Sequence, residues 1–147
     1  IEAVRLDVTD QEQIKAAVVT ITQAGRGLHG LINNAGVGVI YPLATVPMSE
    51  LEWLMDVNLY GPVRVTQAFA PLIIESKGRI STTGSISGIL SGKAFGPYSM
   101  SKHAMEAFTD SLAAEMESLG VHVSIIEPGN YESKIGKNVL ARMKRQG

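Results

Sequence analysis

Tyr98 and Lys102 are separated by one helical turn in the segment Tyr98-Ser99-Met100-Ser101-Lys102. Residues four apart lie on the same face of a helix, so the phenol and the ammonium are expected to be neighbours. An isolated tyrosine titrates at about 10, and a nearby ammonium favours the phenolate, which suits proton transfer closer to neutral pH. On spacing alone, the two residues could equally form an exposed helix pair.

Two glycine-containing segments resemble known motifs without meeting their requirements. The segment from Gly25 to Gly30 has the spacing G-x-G-x-x-G, but it follows a predicted helix and precedes a predicted strand. A dinucleotide-binding turn has the opposite order, so we interpret this segment as a helix stop. The segment from Thr83 to Gly88 has Ile86 where a G-x-S-x-G nucleophile would need serine, which argues against a serine hydrolase.

Composition restricts the classes of function. The 147 residues are 45% hydrophobic with a net charge of -1 and no cysteine, as expected of one globular domain without disulfides or thiolate metal sites. The three histidines lack ligand spacing, so no metal centre is expected. The basic group Arg142, Lys144 and Arg145 is interpreted as a solvated helix end, and no nucleic-acid partner is expected. No stretch has the length of a membrane span and Ile1–Arg5 does not resemble a signal peptide, so we expect a soluble cytoplasmic protein.

The first half of the chain is predicted to contain two strands and two helical regions. A strand is expected over 3–8, and Thr9 with Glu12 forms a capping-box pattern that predicts a helix start. Apolar residues at helical spacing follow, and Gly25 is expected to end the helix. A second strand is predicted over 28–33, and a long helical region from Pro47 is interrupted near Asn58. The apolar positions of the first helix are Ile14, Ala17, Val18 and Ile21.

The second half continues the alternation. A third strand is expected over 79–83, a periodic helix over 98–119, and a strand covered on both faces over 121–126, before a helical tail. Strands alternating with helices predict an α/β fold with a doubly wound parallel sheet of the Rossmann type. Ligands of such sheets bind outside the carboxyl ends of the strands. The loops of interest therefore follow Val8, Asn33, Thr83 and Glu127.

Several short segments occur in the order typical of the short-chain dehydrogenase/reductase family, which the sequence resembles over nearly its whole length. Ser85 lies 13 residues before Tyr98, a separation typical of that family. The segments that carry the resemblance are Leu6-Asp7-Val8, Asn33-Asn34-Ala35-Gly36, Asn58-Leu59-Tyr60-Gly61, Gly84-Ser85, Tyr98 with Lys102, and Glu127-Pro128-Gly129.

The resemblance implies a catalytic role for four residues. Tyr98 would transfer the proton, and Lys102 would bind the nicotinamide ribose and lower the tyrosine pKa. Ser85 would hold the substrate oxygen, with Ser87 close enough to be mistaken for it. Asn58 would anchor a water that relays protons to Lys102, although it could instead only satisfy backbone groups at a helix kink.

The resemblance also implies which residues bind NAD or NADP. Asn34, Ala35 and Gly36 would run beside the riboses, although an ordinary strand-to-loop turn would have the same sequence. Asp7 and Val8 would meet the adenine ring, or Asp7 could be an exposed strand-end aspartate. The full predicted set is Asp7, Val8, Asn34, Ala35, Gly36, Tyr98, Lys102, Pro128, Gly129 and Ser133, the last in place of the family's threonine.

Parts of the family pattern are absent from the sequence. The glycine-rich T-G-x-x-x-G-x-G turn and the residue that selects NAD or NADP are not found, and only four of the family's seven strands are predicted. In the family's order 3-2-1-4-5-6-7, two strands would lie between the first and second predicted here. We therefore expect residues 1–147 to form a single dinucleotide-binding catalytic domain that lacks its first βαβα segment and last strand.

The expected function is hydride transfer between NAD(P) and a secondary alcohol or ketone. Apolar residues near the expected pocket favour an apolar substrate: Val37, Val39, Ile40, Leu90, Ala94 and Phe95. The alternative is a catalytically silent dinucleotide-binding or interaction protein of the same fold. A homo-oligomer is expected, because the two long helices carry more apolar positions than one sheet face needs, and members of the family commonly pair through them.

Overall fold

Three parallel strands form the sheet of the computed structural model, which describes residues 3–131 and 133–146. The strands are β1 (Gly30–Asn33), β2 (Arg79–Thr83) and β3 (His122–Ile126), in the spatial order β1-β2-β3. Leu31, Ile80 and Val123 lie side by side across the sheet. The α/β class and the parallel sheet predicted from the sequence are confirmed.

Within the described residues, five α-helices precede, connect or follow the strands. A π-helical turn, Asp56–Tyr60, joins the second helix to the third, and a short 3₁₀ turn, Ile86–Gly88, follows β2. The α-helices are α1 (Gln11–Ala24), α2 (Met48–Met55), α3 (Gly61–Glu75), α4 (Gly96–Glu117) and α5 (Lys134–Gln146). Within the described ranges, no helix is both long and apolar enough to cross a membrane.

The core lies on one face of the sheet, where α1, α3 and α4 pack. Ile73 of α3, Ile80 of β2 and Leu112 of α4 belong to one buried cluster, and Ile14 of α1 packs with Phe69 of α3 in another. These residues have the spacing that predicts amphipathic helices. The other face of the sheet leaves Ile32 70% exposed and Ile126 57% exposed.

Residues 3–8 do not form the predicted strand. Within the described part of the chain they pair with no other strand, and an isolated extended segment has no ladder to satisfy its backbone groups. Instead, Leu6 and Val8 pack against the α1–α3 cluster, and the Asp7 amide donates to the Gln13 side chain at 2.9 Å. A Cβ on Gly61 would lie 2.6 Å from Val8 Cγ2, so only glycine allows this close approach.

Helix and strand ends differ from the predictions by a few residues. Asp10, not Thr9, caps α1, since its carboxylate accepts from the amides of Glu12 and Gln13. Gly25 ends α1 with φ 64°, which confirms the helix stop and the rejection of the nearby glycine motif. The interruption near Asn58 is confirmed as the π-helical turn. The prediction that 121–126 is covered on both faces is wrong, because β3 alternates between exposed and half-buried residues at the sheet edge.

The helical tail is confirmed as α5, but its end is not wholly solvated. Arg142 is partly buried against α2 rather than exposed, so the interpretation of the basic group is wrong for that residue. The Arg145 side chain lies outside the described part of the structure.

Candidate functional site

The carboxyl ends of β1 and β2 bring two loops together. The Thr83 hydroxyl at the end of β2 donates to Asn34 Oδ1 at 3.0 Å, just beyond the end of β1. Asn34, Ala35 and Gly36 are all exposed. The loop predicted from the sequence therefore offers its backbone and one side chain to solvent at the edge where parallel sheets bind ligands.

Lys102 lies beneath this edge, on α4, and is only 5% exposed. Its Nζ donates to the Thr83 carbonyl at 2.8 Å. Burial lowers the pKa of Lys102 to about 8, although the Glu106 carboxylate acts in the opposite direction. The ammonium has two further protons to donate. Gly36 lies close to it, since a Cβ placed on Gly36 would be 3.9 Å from Nζ.

Tyr98 is half-buried one turn before Lys102, with its ring centroid 5.8 Å from the lysine Nζ. Burial raises the pKa of Tyr98, and a hydrogen bond with the Ser85 side chain partly opposes that rise. Desolvation of the phenolate dominates the pKa of Tyr98, and the expected lowering of that pKa by Lys102 stays a prediction.

Ser85 is held beside Tyr98 by a close approach of two loops. The Gly84 amide donates to the Ile126 carbonyl at 2.7 Å, and the Ile86 amide donates to the Pro128 carbonyl at 3.0 Å. A Cβ on Gly84 would lie 2.9 Å from Ile125, so glycine is required there. The Ser85 hydroxyl accepts from the Ser87 amide at 3.1 Å, which leaves its own proton for another acceptor. Ser85, not Ser87, is the serine close enough to Tyr98 to act on the pKa of the phenol.

Asn58 occupies the π-helical turn and is 2% exposed. Its Oδ1 accepts from the Val37 amide at 2.8 Å, and its Nδ2 donates to the Val37 carbonyl at 2.9 Å and to Ser101 Oγ at 3.0 Å. Ser101 in turn donates to the Tyr98 carbonyl at 2.7 Å. Both side-chain amide protons of Asn58 are therefore engaged. A water that relays protons at this residue would have to donate to its side-chain or backbone carbonyl oxygen.

The predicted cofactor residues fall into separate places. Val8, Asn34 and Ala35 line a cavity of about 510 Å³ between residues 4–8, α1, α3 and β1. The exposed Asp7 accepts from the Thr9 amide and hydroxyl, which lowers its pKa. That carboxylate serves a local turn.

The remaining predicted residues follow β3. Pro128 is half-buried and Gly129 is exposed, with open space around its Cα. Ser133 lies just before α5, where its hydroxyl accepts from the Ile135 amide at 3.4 Å. The structure thus brings Asn34–Gly36 together with Asn58, Ser85, Tyr98 and Lys102, whereas Asp7 and Ser133 are occupied locally.

Three groups that organise the site were missed by the sequence analysis. They are the Thr83 carbonyl, the backbone of Val37 and the buried hydroxyl of Ser101. Two of these are backbone groups, which every residue type has, so no sequence pattern could mark them. Ser101 lies between Tyr98 and Lys102, and a polar residue on a buried helix face was the only available signal.

The donors at this edge fit a ligand with vicinal hydroxyls. A buried ammonium with free protons lies directly below the exposed Asn34–Gly36 backbone, and a phenol and a serine hydroxyl adjoin it. Small residues there allow close approach of a sugar ring. Fold and site together define a parallel α/β protein with a tyrosine, a serine and a buried lysine at the carboxyl edge of its sheet.

The chain belongs to the short chain dehydrogenase family, whose pattern matches residues 1–144. It is 41% identical over 135 residues to the mitochondrial D-β-hydroxybutyrate dehydrogenase of Bos taurus, covering 89% of this chain and 39% of that protein. A 3β-hydroxysteroid dehydrogenase of Caenorhabditis elegans is 40% identical over 147 residues, with 97% and 38% covered.

A solved structure shares the fold. A short chain dehydrogenase/reductase from Burkholderia phymatum in complex with NAD superimposes with a TM-score of 0.87 at 30% identity, covering 95% of this chain and 51% of that one. The chain thus spans about two fifths of the length of the curated relatives and half of the solved neighbour.

Proposed function

We propose that this chain is the catalytic part of an NAD(P)-dependent oxidoreductase that interconverts a secondary alcohol and a ketone. The observation that carries the proposal is the half-buried Tyr98 phenol beside Ser85, with the Lys102 ammonium one turn away beneath the exposed backbone at the sheet edge. Membership in the short chain dehydrogenase family supports the same reaction class. The Burkholderia neighbour binds NAD.

The residues of the chain divide the work of the reaction. When bound, the nicotinamide supplies or accepts the hydride, so the protein has to orient the reactants and move one proton. Ser85 holds the substrate oxygen, and Tyr98 gives its phenolic proton to that oxygen during reduction or takes it during oxidation. Burial raises the pKa of Tyr98, so the phenol is protonated at neutral pH and can act as the proton donor for reduction. Lys102 and Asn34 hold the cofactor sugar.

The substrate is proposed to be apolar near the reacting carbon. Leu90 is 61% exposed, and its carbonyl accepts from Ser99 of the catalytic helix at 3.4 Å. Phe95 is exposed at the start of α4, whereas Val39 is buried. One relative is named for a hydroxysteroid and another for hydroxybutyrate, so relatives with similar identity differ in substrate polarity. Parallel assays with apolar and polar secondary alcohols would decide, and activity on polyols alone would contradict the apolar proposal.

The silent alternative has no observation in its favour. A protein that only bound a nucleotide would have no need for a serine hydroxyl beside a half-buried phenol, or for a buried lysine with a lowered pKa. Both features cost stability, because burial of these polar groups has to be compensated.

Replacement of Tyr98 by phenylalanine tests the proposal. Tyr98→Phe removes only the proton-transferring hydroxyl, so turnover should fall at least about a hundredfold while cofactor affinity persists. Tyr60→Phe is the matched control, because Tyr60 is a half-exposed tyrosine outside the site. Turnover and cofactor binding are measured by nicotinamide fluorescence. Near-normal turnover in Tyr98→Phe would refute the mechanism.

A homo-oligomer and a cytoplasmic location are further proposals. The exposed Met100 on α4 supports association through this helix, and light scattering at micromolar concentration would reveal a monomer if the proposal is wrong. One relative is named as mitochondrial, so cell fractionation is the deciding measurement.

A further inference from the structure

Arg142 binds α5 to α2 through two side chains. Its Nε donates to Glu50 Oε2 and its Nη2 donates to Glu50 Oε1, both at 2.7 Å. The guanidinium also lies over the Trp53 ring, 3.7 Å from the centroid. Two parallel bonds to one carboxylate, with a ring stacked beneath, fix both the position and the plane of the guanidinium. We call Arg142, Glu50 and Trp53 the Arg142 clasp.

A second contact point lies one helical turn before the clasp. Val139 of α5 is 7% exposed, and a Cβ added to Gly38 would lie 2.6 Å from Val139 Cγ2. The absence of a side chain at Gly38 therefore makes the notch that receives Val139. By contrast, Leu140 and Met143 of the same helix remain exposed. The docking of α5 thus includes the apolar contact of Val139 at Gly38, with Ile135 nearby, and the Arg142 clasp.

Both contact points are connected to the catalytic residues. Gly38 follows Val37, whose amide and carbonyl are held by Asn58. Glu50 and Trp53 belong to α2, which continues into the π-helical turn that carries Asn58. At 1.5 Å per residue, Trp53 lies about 7 Å before Asn58 along this helical run. Docked α5 therefore contacts α2, which leads into the turn that carries Asn58, and the loop at Gly38, which Asn58 holds through Val37. The same loop places Gly36 next to Lys102.

We propose that Arg142 is a positioning residue that keeps α5 docked over the substrate side of the site, through Glu50 and Trp53. This inference rests on the proposed function. A helix with one buried apolar residue opens at low cost, so its docked population depends strongly on the clasp. With α5 docked, the 36–38 loop is held from both sides, by Asn58 and by Val139, and the apolar part of a substrate meets a preformed wall.

The test compares Arg142→Ala with Lys144→Ala in the complete polypeptide that contains these residues. Lys144 is an exposed residue two positions further along α5, so its removal controls for lost positive charge. In Arg142→Ala, hydrogen exchange of peptides from 134–144 should accelerate about tenfold while α4 peptides stay unchanged. KM for the alcohol or ketone should rise about fivefold, with kcat and cofactor affinity within about twofold.

Two further variants separate positioning from general stability. Arg142→Lys keeps the charge but cannot form the paired bonds, so it should restore only part of the exchange protection. Either single reversal should raise KM, and the double reversal Glu50→Arg with Arg142→Glu should return KM most of the way to the value of the parent protein. Glu50 makes other contacts as well, so each single reversal is measured beside the double variant.

Three results would overturn the inference. Unchanged α5 exchange in Arg142→Ala would show that the clasp does not hold the helix. Faster exchange without a change in KM would show that docking does not shape the substrate side. A parallel loss of kcat, cofactor affinity and melting temperature would indicate a purely structural role. If the parent protein has no turnover, the proposed function fails instead, a result distinct from an unaltered KM in an active enzyme.

Discussion

Burial acts in opposite directions on the pKa values of Tyr98 and Lys102. It raises the pKa of the phenol, because the phenolate is the charged form, and it lowers the pKa of the lysine to about 8 because the ammonium is the charged form. Below pH 8 the lysine remains mostly protonated, and the phenol is neutral. At neutral pH the site therefore holds a proton ready for a carbonyl oxygen and a cation ready for a sugar hydroxyl.

The lowered pKa of Lys102 predicts that cofactor affinity depends on pH. In the proposed function the ammonium holds the cofactor, so affinity should be full below pH 8 and should fall as the pH rises through about 8. The affinity for NAD or NADP would be measured by fluorescence titration at pH values between about 6.5 and 9.5. This range extends about 1.5 pH units on either side of the lysine pKa. Lys102→Arg keeps its charge throughout, so its weaker affinity should be independent of pH. A pH-independent affinity in the parent protein would contradict the assignment.

Asn58 should matter for stability as well as for the site. Asn58→Ala leaves the Val37 amide and carbonyl without their partner, so the free energy of unfolding should fall by about 2 to 4 kcal/mol. Urea unfolding of the complete polypeptide measures the loss. Asn130→Ala, at an exposed bend, is the control and should change little. A loss below about 1 kcal/mol would mean that water replaces the side chain at low cost.

The four catalytic candidates were predictable from the sequence because each is a distinctive residue type at a fixed separation within the family pattern. The structure places the four residues near one another, and their catalytic roles stay predictions. The groups that hold them in place were not predictable. The Thr83 carbonyl is a backbone atom, and the hydroxyl of Ser101 gains its importance only from the π-helical turn opposite it.

At the scale of elements, periodic helices were predicted well and the first strand was not. Helix α1 follows from local spacing and a local cap, and its buried face agrees with the prediction. A strand needs a partner that is distant in sequence, and residues 3–8 have none within the described part of the chain. The shift of the cap from Thr9 to Asp10 has a local cause, since Thr9 itself donates to Asp7.

The turn between α3 and β2 provides a stability prediction. Lys77 has φ 46°, a left-handed conformation that costs a residue with a Cβ about 1 kcal/mol or more. Lys77→Gly should therefore raise the free energy of unfolding by about 0.5 kcal/mol, after the larger entropy of unfolded glycine is subtracted. Lys77→Ala retains the Cβ and should give no gain. Equal effects of the two replacements in thermal unfolding would contradict the strain argument.

At the scale of the whole molecule, the sheet has one covered face and an open edge. Ile32 of β1 is 70% exposed, and the 510 Å³ cavity beside β1 is lined mainly by apolar side chains. Such an edge and face favour aggregation unless further strands and helices cover them. The predicted order of strands, with two between residues 3–8 and β1, would fill this cavity. The absence of pairing between these two segments is consistent with that order.

A direct comparison of two polypeptides tests this prediction. The 147 residues alone should unfold with low cooperativity and bind NAD or NADP weakly, because no glycine-rich turn is available for the pyrophosphate. A polypeptide extended at its N-terminus by a βαβα segment should bind and turn over. Differential scanning calorimetry and nicotinamide fluorescence provide the two measurements. Equal affinity and equal unfolding enthalpy in both would show that the 147 residues suffice.

Trp53 is the one tryptophan in the sequence, and it lies directly beneath Arg142. Indole emission shifts with solvent contact, so release of α5 would expose one face of this ring and move its spectrum to the red. The chain consequently contains a natural optical label at the substrate side of the site. Stopped-flow mixing with a bound ligand could follow the helix in real time, without a dye, and relate its motion to the rate of product release.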